Sequence, residues 1–63
     1  MELFDVVEAV VDLPDHQIRA GAVGTIVHVF EQPNLAYEVE FSDDEGRTIA
    51  MTALTPDKVR PHR

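Results

Sequence analysis

The sequence predicts an all-β fold, a small SH3-like barrel of about five strands with a one-turn 3-10 helix before the last strand. Three observations carry this expectation. Apolar residues recur at every second position in several short runs, and turn-forming residues separate those runs at close intervals. No stretch sustains a helical period over the roughly ten to twelve residues that a helix needs. At 63 residues the chain makes one domain, 1–63, and folding at this size buries only about 60% of the surface the unfolded chain exposes. Closure into a barrel suits so short a chain, because it removes unpaired sheet edges that there are no helices to cover.

The first strand is read from Asp5 to Leu13. Val7, Ala9, Val11 and Leu13 share one apolar face, while Val6, Glu8, Val10 and Asp12 make a mixed one. Leu13-Pro14-Asp15 ends the strand, because proline lacks the ladder N–H and proline followed by aspartate favours a turn; a polar loop then runs through Arg19. In Gly21-Ala22-Val23-Gly24, Gly21 is expected in a turn conformation and Gly24 at a bulge or close strand crossing. Val23 to Phe30 is the second strand, dense in β-branched residues and apolar in both phases: Val23, Thr25, Val27 and Val29 in one, Ile26, His28 and Phe30 in the other.

Gln32-Pro33-Asn34 forms the next turn, since proline presets φ and asparagine tolerates the left-handed region. Ala36 to Phe41 alternates cleanly, with Tyr37, Val39 and Phe41 inward and Ala36, Glu38 and Glu40 toward water. Ser42 to Gly46 is a hairpin loop in which Gly46 is free to take positive φ. Thr48 to Leu54 is a fourth strand whose pattern leaves its register open. Thr55 then caps a single helical turn begun by Pro56, and Val59-Arg60-Pro61 closes the chain as a short strand.

Several blocks in order, Asp-Leu-Pro at 12–14, Gly-x-x-Gly-Thr-Ile-Val at 21–27, Tyr-Glu-Val-Glu-Phe at 37–41, Gly-Arg-Thr at 46–48 and Ala53-Leu54, span nearly the whole chain. Together they resemble the family called domain of unknown function 4926, small and mostly bacterial single-domain proteins with no established activity. The resemblance implies a single domain. A wider similarity, through the glycine turn and the β-branched strand after it, is to KOW-type ribosomal and transcription-factor modules and other SH3-like barrels, which implies binding of RNA or protein. A fold of this kind does not by itself choose between them.

Composition narrows the chemistry. Without cysteine there is no disulfide and no thiolate zinc site. The amino terminus has no basic segment leading into an apolar run, and no stretch has the eighteen or so apolar residues of a membrane helix, so a cytoplasmic protein without membrane contact is expected. Twelve acidic residues against five Lys and Arg give a net charge of −7. Such a field favours basic partners and repels phosphate backbones.

No cofactor, metal or small-molecule substrate is expected. Gly21 and Gly24 lack the lysine and the following helix of a phosphate loop. His16, His28 and His62 fall in separate elements without the short paired spacing zinc takes, and Asp43-Asp44-Glu45-Gly46 lacks calcium-loop spacing. Ser42 is the only serine and sits beside a hairpin tip, in a chain with little room for a substrate pocket. The chain is therefore read as not an enzyme.

The sharper signal is the second apolar phase. If the first phase fills the barrel, Val6, Val10, Ile26 and Phe30 are left outside as an apolar patch ringed by acids; the alternative is that the strong curvature of so small a barrel buries both phases. The expected function is a non-catalytic acidic protein-interaction module that docks a protein partner or its own copy through these four residues. In a narrower form it is the antitoxin or immunity partner of a basic protein encoded beside it. The alternative is a KOW-like nucleic-acid or ribosome-associated module acting through Arg19, Arg47, Lys58, Arg60 and Arg63, which the overall charge disfavours.

Overall fold

A computed structural model describes residues 1–62. They form one antiparallel sheet of five strands: β1 (Val6–Ala9), β2 (Val23–Phe30), β3 (Ala36–Ser42), β4 (Thr48–Leu54) and β5 (Val59–Pro61). Two single-turn 3-10 helices, Pro14–His16 and Pro56–Lys58, are the only helical segments described. The strand order is β4-β3-β2-β1-β5. This is the all-β layout expected, with the second 3-10 turn directly before the last strand. Ladder closure is not completed, however: β5 pairs with β1 and β4 with β3, leaving both as sheet edges.

The core is built from every strand: Val7 and Ala9 of β1, Ile26 of β2, Tyr37, Val39 and Phe41 of β3, Leu54 of β4 and Val59 of β5, with Ile18 from the first loop. The alternation in β3 delivers three of these on one face, as its pattern requires. β1 is shorter than its pattern suggests and stops at Ala9. Beyond it the Val10 N–H donates to the Lys58 carbonyl at 2.9 Å, and Val11, expected inside, is exposed. The cause lies in the loop. Leu13 and Ile18 form an isolated bridge around the Pro14–His16 turn, with Gln17 in the left-handed region at φ 59°. That closure carries Ile18 into the core and packs Leu13 against it, from a segment whose polarity hid the fact.

β2 contains the main surprise. Gly24 stands opposite Phe41 and Ile26 opposite Val39, but the next pairs are His28 with Glu38 and Val29 with Tyr37. Val27 is thus an extra residue, a β-bulge, and it exchanges the two phases of the strand. Before it Gly24 and Ile26 point inward; after it Val29 packs against the core while His28 and Phe30 are exposed. Both phases are apolar because each is buried over half of the strand. Ile26 is 0% exposed, so its expected place on an outer patch is corrected, and Val23, expected in the core, is 40% exposed.

Gly24 serves a close strand crossing. A Cβ there would lie 2.7 Å from Val39 Cγ1 and 2.8 Å from the Glu40 carbonyl oxygen. Gly21 and Gly46 take φ of 93° and 81°, the turn role expected of them. The β2–β3 turn instead contains a cis Gln32–Pro33 bond, and Asn34 stays out of the left-handed region. Thr55 precedes the second 3-10 turn without a side-chain bond to its backbone.

Candidate functional site

The four residues expected to make one patch do not meet. Ile26 is inside. Val6 is exposed on β1 opposite Thr25, and Val10 is half-buried beyond the end of that strand. Phe30 is exposed at the far end of β2. At about 3.3 Å per residue, and allowing for the bulge, it lies roughly 15 Å along the strand from Val6. The segment before β1 reaches β2 only as far as Ile26, through Phe4 N–H to the Ile26 carbonyl at 2.7 Å and Ile26 N–H to the Asp5 carbonyl at 3.0 Å.

The outer face has a different organisation, which follows from the ladder register. One row across four strands reads Val6, Thr25, Glu40, Met51; the next reads His28, Glu38, Ala53; a third pairs Phe30 with Ala36. The register of β4 is now fixed: Leu54, Thr52 and Ala50 stand opposite the inward Tyr37, Val39 and Phe41, while Ala53 and Met51 stand opposite Glu38 and Glu40. A second irregularity between Phe41 and Ser42 leaves Ile49 outside the ladder, 59% exposed, beside Met51 at 49%.

Two carboxylates therefore run down the middle of this face, half-buried, between apolar borders. Glu40 Oε2 accepts from the Thr48 hydroxyl at 2.7 Å, which holds it toward β4. His28 stacks edge-on against Phe30, with ring centroids 4.5 Å apart, and fixes the aromatic at the other border. Such a surface can accept hydrogen bonds from lysine or arginine heads while their aliphatic stems lie along Phe30, Met51 and Ala53. Met51 and Ile49 escaped the sequence reading because an open register leaves the facing of every β4 residue undetermined.

Two of the five Lys and Arg residues are engaged with acids. Arg47 Nε is 3.1 Å from Asp43 and its Nη2 3.2 Å from Glu45, at the hairpin tip. Asp43 is held below the usual carboxylate range, chiefly by the Arg47 backbone N–H. Across β1 and β5, Arg60 bonds Glu8, and His62 Nδ1 lies 3.2 Å from the other oxygen of the same carboxylate. Arg60 first, then His62, lowers the Glu8 pKa. Lys58 is exposed on the second 3-10 turn, and Arg19 borders a shallow open depression with Asp12, Pro14, Gln17 and Ile18. Arg63 lies outside the described residues. Of the five residues of the nucleic-acid reading, Arg47 and Arg60 are thus held by acids.

Among the described residues no helix is long and apolar enough to cross a membrane. No curated protein and no solved structure matches the chain with significance. A family model does match, over residues 3–61 of the 63, and its description is Domain of unknown function (DUF4926). The span from the first-strand approach to the last strand is covered, and the chain belongs to that family.

Proposed function

We propose that the chain is a non-catalytic protein-interaction module whose outer β2–β3–β4 face docks a basic protein. The carrying observation is the pair Glu38 and Glu40, half-buried side by side on β3 and bordered by exposed Phe30 and Met51. Partial burial raises the strength of each carboxylate as an acceptor for a cationic donor, and the apolar borders supply the area that a purely charged surface lacks. The net charge of −7 draws a basic partner in over a longer range and speeds encounter at low salt. In its narrower form the module neutralises a basic protein encoded beside it, as an antitoxin or immunity protein does.

Coexpression with the product of the adjacent gene tests this. The two are expected to elute as one complex, and Glu38→Lys with Glu40→Lys is expected to release the partner while leaving the module folded by circular dichroism. Retention of the complex by the double variant would remove this face from the function.

A further inference from the structure

The two edges of the sheet are built differently. β5 is three residues long and carries Arg60 and Pro61, the short length, charge and missing N–H that blunt an edge. β4 has seven residues, Thr-Ile-Ala-Met-Thr-Ala-Leu, with no charge, proline or glycine. Its only strand partner is β3, and apart from that ladder no backbone bond among the described residues involves positions 48–54. Its far side is a row of free N–H and C=O groups flanked by exposed Ile49 and Met51. In a chain where 27% of residues are charged and the balance is −7, this is the sheet edge without a charge of either sign, so a second acidic copy meets no repulsion along it.

We infer that β4 pairs antiparallel with β4 of a second copy, joining two five-stranded sheets across a two-fold axis. The sequence of β4 is self-complementary about Met51 over residues 49–53, short of the irregularity beyond which Thr48 turns to Glu40 on the outer face. Met51 then faces Met51, Ile49 faces the small Ala53 and Ala50 faces Thr52, so outward residues meet outward residues and inward residues meet inward residues. The alternative occupant, an extended segment of a basic partner, finds no carboxylate on this edge to select it. The pairing does not rest on the docking face above, although Met51 borders both, and it sets two such faces side by side in one sheet. Edge pairing of this length is narrow beside the roughly 1,000 Å² that stable interfaces clear, so dimerisation is concentration-dependent.

Sedimentation equilibrium of the purified chain from about 10 μM to about 1 mM is expected to show mass rising from 7.0 kDa toward twice that value. Ile49→Lys with Met51→Lys, both at exposed positions, is expected to hold it at the monomer mass with unchanged circular dichroism. Directly opposed residues sit about 4.5–5.5 Å apart, inside the disulfide range. In a chain without cysteine, Met51→Cys is therefore expected to form an intermolecular disulfide under mild oxidation while Val6→Cys stays monomeric. A chain monomeric throughout the range would overturn the inference. So would a dimer that survives both lysines, an assembly that grows beyond two copies, or a monomer whose β4 is protected only by a basic partner.

Discussion

Ile26 stands opposite Val39 with its side chain wholly inside the core, and the next pair along the ladder, His28 with Glu38, faces the other way. One extra residue, Val27, separates the two pairs and exchanges the phases of β2, so that Ile26 faces inward before it and Val29 after it. The position of that bulge decides which apolar residues of β2 are structural and which are available to a partner.

Ile26→Ala is expected to cost about 2–5 kcal/mol. A chain of this length has only some 3–9 kcal/mol in total at about 0.05–0.15 per residue, so the variant is expected to be largely or marginally unfolded in urea titrations. Phe30→Glu, at an exposed position, is expected to retain the wild-type urea midpoint to within about 1 kcal/mol. A reversed order would place the bulge elsewhere.

Gly24→Ala forces a Cβ to within 3.0 Å of Val39 Cγ1 and the Glu40 backbone carbonyl, so strand β3 must move. A loss near the top of the roughly 1–3 kcal/mol range for overpacking is expected. Gly46→Ala meets open space and bears only the strain of φ 81°, about 1 kcal/mol. Thermal midpoints of the two variants measure the difference.

Three carboxyls have folded-state pKa values below their ordinary ones: Glu8 through Arg60, Asp43 through the Arg47 N–H, and Asp57 through the Thr55 hydroxyl. For a depressed acid the stabilisation is complete above the unfolded value, about 4.5 for Glu and 3.8 for Asp, and is lost as pH falls through the lower folded value. Stability is therefore expected to fall below about pH 4.5. Glu8→Gln is expected to be less stable than wild type at neutral pH and to converge on it in acid, as followed by denaturation at stepped pH.

Labelled RNA is expected not to bind at micromolar concentration at either low or moderate salt, since Arg47 and Arg60 are already paired with acids. Fluorescence anisotropy checks this. Salt-sensitive binding lost on Lys58→Glu would instead favour the nucleic-acid reading.

Much of the architecture was legible in local pattern. β2, β4, β5 and the Pro56–Lys58 turn fall where runs of β-branched residues, proline and threonine place them, and β3 gives its inward face through strict alternation. What local pattern did not carry was long-range pairing. The bulge at Val27 changes phase within a run of apolar residues that reads the same in either phase, so the pattern alone puts Ile26 outside and Val23 inside. Ile18 enters the core because Leu13 bridges to it, a contact made by chain closure and not by periodicity. The acidic face needed the β4 register, which only pairing with β3 supplies; Glu38 and Glu40 were visible as a wet stripe, but Met51 beside them was not.

Amide chemical-shift mapping of the isotopically labelled chain, titrated with the product of the adjacent gene, tests the docking face most directly. The shifts are expected to centre on His28, Glu38, Glu40 and Met51, to weaken as salt is raised, and to vanish in the variant with Glu38→Lys and Glu40→Lys. Shifts confined to the Arg19 loop and the Lys58 turn, or none at stoichiometric partner, would contradict it.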